Sequence, residues 1–248
     1  TEKGVNTHVI HTRHHFSSVS CMTVAAAQHT GADAFGGGAT SQETLWCGHT
    51  DGSVMSVDAD GLHECRSCFA AHRTAVTALA VVHSERELWT GSDSGTIRAW
   101  PDLGRHEEHS VELALPAQAG SAGSPEVKAM IYLDASQTVW SAGHSGIHVW
   151  NVRTHAHKAT LPDSGRVTCL AVADAGEAGG PALVMSGHAD GRVVLWSVSA
   201  GGDGSLCREL FSAGWDASKG RIGSDHRVTA LCACSLPPLP ELSIPADT

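Results

Sequence analysis

The sequence predicts an all-β protein built from repeated units. A segment with the order Val, polar, small, large apolar recurs along the chain, strand–turn–strand signatures follow it, and no long amphipathic helix pattern competes. The 248 residues are enough for a full core, and 42% hydrophobic with 17% charged residues is typical of a folded chain. Intrinsic disorder is therefore not expected.

The recurring segment predicts one short buried strand per copy, because its apolar positions are rich in β-branched residues. The copies begin at Val19, Val76, Val127, Val167 and Val228. The regular content, with variable spacing between copies, indicates repeats that differ by loop insertions.

A second signature, found at 45–54, 88–100, 139–150 and 184–196, predicts two strands joined by a tight turn. Asp51-Gly52 and Asp190-Gly191 are strong hairpin signals, since glycine accepts the positive φ that such turns require. Further β-compatible stretches lie at 63–69, 110–115, 155–161 and 206–211. Four antiparallel strands per unit predict the blades of a β-propeller.

The predicted strands divide the chain into an N-terminal segment (1–18), a propeller (19–235) and a proline-rich tail (236–248). The expected blades are 19–75, 76–126, 127–166, 167–227 and a partial one at 228–235. Pairing of 7–12 with the last of these would close about four complete blades and a partial one. A larger ring of six or seven blades is the preferred alternative, because an open stack exposes apolar faces and strand edges.

These units resemble WD repeats. Trp100, Trp150 and Trp196 match the tryptophan closing the third strand. A second-strand hydroxyl matches at Thr90, Ser141 and Ser186, and a hairpin aspartate matches at Asp51 and Asp190. The histidine in the loop before a blade matches at His72 and, less cleanly, at His15 and His226. The resemblance implies that these four residue types form a hydrogen-bonded tetrad inside a blade.

The sequence departs from this pattern, since none of the repeat-closing Trp100, Trp150 and Trp196 is followed by Asp. Val57 stands in the tryptophan position of the first unit, and Ser94 and Ser145 replace hairpin aspartates. We therefore expect divergent blades held more by apolar packing than by polar networks. Additional tryptophans on the second strands, Trp46, Trp89 and Trp140, resemble the propeller part of inositol polyphosphate 5-phosphatase-like proteins.

Charge and composition exclude several partners. Sixteen Lys and Arg against 26 Asp and Glu give a net charge of −10, which disfavours nucleic acid and anionic lipid and favours a neutral or basic partner. No apolar run is long enough for a membrane helix, and no signal peptide opens the sequence. Eight cysteines without such a signal predict a reducing, cytoplasmic location.

Neither metal nor catalytic chemistry is expected. Cys65 and Cys68 have a zinc-like spacing, but residues three apart on a strand point to opposite faces, and no second pair exists. Cys21, Cys47 and Cys169 fill small-residue repeat positions, and no catalytic or phosphate-loop motif is present. The sequence predicts no catalytic residue, metal site or cofactor.

The predicted function is a non-catalytic scaffold that binds a protein or peptide through loops on one face. Histidines after the hairpin glycine are expected to project from equivalent hairpins. The candidate binding residues are His49, Asp51, Arg73, Asp93, His144, His188, Asp190 and Arg227. Two alternatives remain open: a regulatory propeller within a larger phosphoinositide-metabolising enzyme, and a propeller that binds a small ligand in its central channel.

Overall fold

The structure is a computed structural model. It describes residues 17–25, 43–58, 65–104, 107–113, 126–161, 165–174, 182–198, 208–213 and 227–232. The expected closing strand at 7–12, the tail at 236–248, and His15 and His226 lie outside these residues.

The described residues form four antiparallel sheets of four strands each, here called blades 1 to 4. Blade 1 contains β1 (Val19–Ala25), β2 (Thr44–His49), β3 (Ser53–Asp58) and β4 (Cys65–Ala70). Blade 2 contains β5 (Val76–Val82), β6 (Glu87–Ser92), β7 (Ile97–Trp100) and β8 (Val111–Leu113). Blade 3 contains β9 (Val127–Leu133), β10 (Thr138–Gly143), β11 (Gly146–Asn151) and β12 (His157–Thr160). Blade 4 contains β13 (Val167–Asp174), β14 (Ala182–His188), β15 (Val193–Val198) and β16 (Arg208–Ala213).

Within each blade the strands are hydrogen-bonded in chain order, so every blade is a simple meander. Two short 3-10 turns, Pro101–Gly104 and Glu107–His109, interrupt blade 2, and the described residues contain no α-helix. The all-β fold of propeller blades predicted from the repeats is confirmed. Hydrogen bonding among the described residues does not join the blades into a closed ring.

The cores lie between consecutive blades, and each is built around two tryptophans. The second strand of one blade and the third strand of the next supply them: Trp46 with Trp100, Trp89 with Trp150, and Trp140 with Trp196. All six side chains are buried. The additional second-strand tryptophans therefore have a packing role, since each fills the gap opposite the tryptophan that closes a third strand.

Glycines at three blade junctions allow neighbouring blades to approach closely. Gly48, Gly91 and Gly187 each face the valine that starts the next blade. A Cβ atom on Gly91 would lie 2.6 Å from Cγ1 of Val127, and one on Gly187 would lie 2.6 Å from Cγ1 of Val228. Because real Cβ atoms do not come this close, the repeat requires glycine here wherever the blades are this tight.

The polar second position of the recurring segment links blades through a hydroxyl group. Ser20, Thr77 and Thr168 donate to the carbonyl oxygens of Val76, Val127 and Val228, respectively. In blade 3 the same position is Lys128, which pairs with Glu126 instead. The polar residue of the repeat is therefore a connector at three of the four junctions within the described residues.

The last described segment, 227–232, continues the blade pattern without forming a strand. Val228 sits against Gly187 and donates its backbone N–H to the carbonyl of His188 at 3.1 Å. At the other end of the stack, Met22 and Val24 are 64% and 54% exposed, whereas the equivalent Leu79 and Val81 of blade 2 are each 7% exposed. Blade 1 thus presents a face of the kind that other blades bury.

Candidate docking face

One face of the blades gathers the hairpin turns and the loops that lead into each blade. Backbone N–H groups of Ala71 and His72 donate to the carbonyl of Gly52 at 3.0 and 2.9 Å, and Asp93 donates to the carbonyl of Ala75 at 3.1 Å. In blade 4, Ala189 donates to the carbonyl of Arg166 at 2.9 Å. The second-to-third-strand turns and the preceding loops therefore meet at one end of the inner strands, here called the hairpin face.

Four candidate binding residues are solvent-exposed on this face: Asp51, Arg73, Asp190 and Arg227. Asp93 and His144 are partly exposed. Asp51 and Asp190 occupy equivalent turns, and Asp93 lies in the corresponding turn of blade 2. The structure therefore places most of the predicted residues together at the solvent boundary of one face.

The expectation that His49 and His188 project from the hairpins is wrong. Each is only 1% exposed, because each is the last residue of a second strand, and its backbone is paired with the valine that begins the inner strand. His188 Nε2 lies 2.8 Å from Ser186 Oγ. These histidines serve the blade interior.

His144 is not equivalent to His49 and His188. The register pairs Gly143 with Val127, so Gly143 occupies the position that His49 and His188 hold, and His144 falls one residue later in the turn. The shorter third hairpin causes this offset. The sequence comparison aligned the glycines, whereas the structure aligns Ala142 with Gly48, Gly91 and Gly187.

Two hairpin aspartates are held by their own turns. Asp51 Oδ1 accepts hydrogen bonds from the backbone N–H and hydroxyl of Ser53 at 2.9 and 2.6 Å. Asp190 accepts from the backbone N–H and guanidinium of Arg192 at 3.1 and 2.7 Å. Partial burial opposes ionisation of Asp190, but these bonds and the Arg192 charge outweigh it and lower the pKa of this carboxyl.

Asp93 differs from these two, because its Oδ1 is enclosed and accepts no hydrogen bond from the described residues. A buried carboxylate oxygen without a donor is costly, and a donor from outside the blade would relieve that cost. Asp93 therefore carries an unmet acceptor at the hairpin face, which a partner's donor reaches only if the surrounding turn shifts.

A polar network under the hairpin face joins the loop between blades 1 and 2 to the centre of blade 2. Trp100 Nε1 donates to Thr90 Oγ1 at 2.9 Å, and the Thr90 hydroxyl lies 2.7 Å from His72 Nε2. Thr90 accepts from the indole and donates to the imidazole, which makes His72 the acceptor at Nε2. Burial, followed by the nearby Arg98 charge, lowers the pKa of His72 to about 4, so this histidine is neutral at pH 7.

The same indole–hydroxyl bond recurs in blades 3 and 4, where Trp150 donates to Ser141 and Trp196 to Ser186, each at 2.8 Å. In blade 4 the histidine partner is His188 from the second strand itself. In blade 1, Cys47 and Val57 occupy these positions, and both are buried. Three of the four described blades thus retain a polar centre that the sequence departures had led us to discount.

Blade 3 contains a histidine pair that the sequence analysis missed. His148 is buried, with Nε2 2.9 Å from Ser145 Oγ and Nδ1 3.0 Å from Thr160 Oγ1, and Thr160 lies 3.2 Å from His157 Nε2. Burial, and then His157, lowers the pKa of His148 to about 4. The signal available in the sequence was the alternation of His148 and Trp150 on one strand face.

Cys21, Cys47 and Cys169 behave as packing residues. Burial raises the pKa of the Cys21 thiol to about 11 and also raises the pKa values of Cys47 and Cys169, which makes these thiols poor metal ligands and nucleophiles at neutral pH. Cys65 and Cys68 are exposed on β4 and form no disulfide. No group of three or more His, Cys, Asp or Glu suited to a metal occurs in the part of the chain that the structure describes.

Comparison with known proteins supports the fold class without identifying a family. No family model matches the sequence. Over 159 residues the chain is 25% identical to type I inositol polyphosphate 5-phosphatase 13 of Arabidopsis thaliana, a match that covers 51% of this chain and 14% of that protein.

Among solved structures, a chain of the mitotic checkpoint complex matches with a TM-score of 0.51 and 20% identity, over 68% of this chain and 50% of that one. The computationally designed Ika8 protein matches with a TM-score of 0.48 and 23% identity, over 68% and 46%. The chain therefore spans about half the length of these structural neighbours and a small part of the plant phosphatase. The four-bladed sheet arrangement, together with the likeness to the checkpoint-complex chain, defines a β-propeller-like fold. Within the described residues, no helix is long and apolar enough to cross a membrane.

Proposed function

We propose that this chain is a non-catalytic, cytoplasmic scaffold that binds a neutral or basic protein segment on its hairpin face. The observation that carries the proposal is the placement of Asp51, Asp93 and Asp190 at corresponding turns of three blades on one face. Rigid blades hold these carboxylates in fixed positions, so a segment that crosses the face meets negative charge on blades 1, 2 and 4.

Asp93 supplies the anchor in this proposal. Its Oδ1 is enclosed and accepts no hydrogen bond from the described residues, so a partner's donor reaches it only if the surrounding turn shifts. Asp51 lies on the neighbouring blade with its carboxylate already oriented by Ser53. An arginine or lysine side chain satisfies both the unmet acceptor and the negative charge, and hydrogen bonds to charged groups contribute more than neutral ones. The net charge of −10 attracts such a segment from a distance.

The test is selection of a phage-displayed random peptide library on the immobilised chain. Selected peptides are then titrated by isothermal titration calorimetry against the wild type and the Asp51→Asn, Asp93→Asn double variant. Loss of two carboxylates is expected to weaken binding about tenfold, since each charged contact contributes up to about 1 kcal/mol. Asparagine retains an acceptor oxygen, so the Ser53 contacts survive.

The matched control is the Glu85→Gln, Asp102→Asn double variant, which removes the same charge at the opposite end of blade 2. Those carboxylates pair with Arg153 and Arg86 on the surface. The control is expected to bind within about twofold of the wild type. Failure to enrich any peptide, or equal losses in both double variants, would refute the proposed docking face.

A second candidate function is a regulatory propeller within a larger enzyme that acts on inositol polyphosphates. The observation favouring it is the 25% identity with the plant phosphatase over about half of this chain. Peptide mass mapping of the endogenous polypeptide tests it. Phosphatase-domain peptides in the same polypeptide support this candidate, and a polypeptide without them excludes it.

A further inference from the structure

A cavity of about 700 Å³ opens at the end of the blades opposite the hairpin face. It is lined by residues from all four inner strands, including Val24 of β1, Val81 of β5, Ile131 of β9 and Val172 of β13. These residues lie toward the ends of their strands, whereas the hairpin turns lie beside the strand starts. The cavity and the hairpin face are therefore separate sites.

The walls of the cavity are mostly aliphatic, and its volume falls within the range of ordinary small-ligand sites, about 300–1,000 Å³. Val24 remains 54% exposed beside it, so the walls present apolar surface to solvent. Covering that surface with an apolar ligand is favourable.

The polar residues of the lining are Thr23 of β1 and a group at the rim formed by His83, Ser84, Tyr132 and Asp134. The His83 and Tyr132 ring centroids lie 6.5 Å apart. The Tyr132 hydroxyl donates to Asp134 Oδ1 at 2.6 Å and lies 3.0 Å from Ser84 Oγ. Gln137 Nε2 lies 3.0 Å from the Tyr132 hydroxyl and 2.9 Å from Asp134 Oδ1. Burial, and then the neighbouring Asp134, raises the pKa of Tyr132 to about 12, so the phenol stays protonated and holds the carboxylate in place.

Asp134 carries the negative charge of this rim. In the described part of the chain it accepts hydrogen bonds from Tyr132 and Gln137 but forms no ion pair, whereas the nearby Glu85 is paired with Arg153 and Asp102 with Arg86. A carboxylate that is fixed in position, exposed and unpaired beside an apolar cavity is complementary to a cation attached to an apolar body.

We propose that this cavity binds a small amphipathic amine, with the aliphatic body against the inner-strand walls and the ammonium group at Asp134. This site is independent of peptide docking on the hairpin face, because the two lie at opposite ends of the blades. It assigns a ligand chemistry to the small-ligand alternative raised by the sequence.

The test compares three probes that share one apolar body: octylammonium, octanol and octanoate, each titrated by calorimetry at pH 7. Octylammonium is expected to bind about three- to fivefold more tightly than octanol, as for one exposed charged contact, and octanoate more weakly than octanol. Asp134→Asn is expected to abolish the ammonium preference while octanol binding stays unchanged. Ile131→Ala, which shortens one wall, is expected to weaken all three probes together.

Glu85→Gln serves as the control for charge, since it removes one negative charge at the same end of the blades but outside the cavity lining. It is expected to retain the ammonium preference. Thermal melting of each variant verifies folding. Three results would overturn the proposal. They are that none of the three probes binds, that octanoate binds as tightly as octylammonium, or that the preference for the ammonium probe persists in Asp134→Asn.

Discussion

Thr90 is the residue whose replacement most sharply tests the polar centre of a blade. The side chain is completely buried in blade 2, where its hydroxyl accepts from Trp100 Nε1 at 2.9 Å and bonds His72 Nε2 at 2.7 Å. Thr90→Val keeps the side-chain shape and removes only the hydroxyl group. The change isolates the two hydrogen bonds from packing.

The expected cost follows from the groups left behind. The indole N–H of Trp100 becomes a buried donor without an acceptor, which costs about 1–3 kcal/mol, and the lost bond to His72 adds about 1 kcal/mol. The free energy of unfolding should therefore fall by about 2–4 kcal/mol. For a chain of this size that corresponds to a decrease in Tm of about 5–15 °C.

Urea denaturation followed by tryptophan fluorescence measures this loss directly. Thr90→Ser is the matched control, because it keeps the hydroxyl and should cost less than about 1.5 kcal/mol. A free energy of unfolding for Thr90→Val within about 0.5 kcal/mol of the wild-type value, or equal destabilisation of the valine and serine variants, would contradict a role for these hydrogen bonds.

Three further changes test other parts of the structure. The pKa values of His72 and His148 are lowered to about 4 from the usual 6.5, so the unfolded state binds protons first as pH falls. The free energy of unfolding should therefore be constant above pH 6.5 and decrease toward pH 4, by up to about 3 kcal/mol per histidine. Urea denaturation at several pH values in this range measures the decrease, and the dependence of the free energy of unfolding on pH should be weaker in His148→Gln. An unchanged pH dependence in this variant would contradict the lowered pKa of His148. Gly91→Ala should cost about 1–3 kcal/mol, because the added Cβ would lie 2.6 Å from Val127 Cγ1, while the reverse change Ala142→Gly at the equivalent position of blade 3 should cost about 1 kcal/mol. Equal free energies of unfolding for Gly91→Ala and the wild type would contradict the requirement for glycine at this junction. Thr77→Val should cost about 1 kcal/mol by removing a bond between blades 2 and 3, and Ser136→Ala, away from the junctions, is a control for hydroxyl loss.

Most of the fold could be predicted from the repeats in the sequence. Alternating apolar strands and Asp-Gly turns predict four-stranded units, since both signals are local. Trp100, Trp150 and Trp196 donate to Thr90, Ser141 and Ser186, the second-strand hydroxyls with which the resemblance to WD repeats groups them. These positions are predictable because every blade solves the same packing problem.

The site residues were harder to predict, because exposure depends on register. His49 and His188 follow a hairpin glycine in the sequence but end a second strand in the structure, which turns both inward. The third hairpin is one residue shorter, and this places His144 outside the equivalence. The Tyr132–Asp134–Gln137 cluster has no sequence signature, because the bend that brings these residues together forms only when β9 turns into β10.

Mapping the contact surface of a selected peptide tests the central claim most directly. Hydrogen–deuterium exchange of the chain with and without that peptide reports which backbone amides become protected. Docking on the hairpin face predicts protection of the turns at 50–52 and 93–96 and the loop at 71–75, with little change at 83–86 and 134–137. Protection confined to the opposite end, or to the exposed face of β1, would contradict docking on the hairpin face.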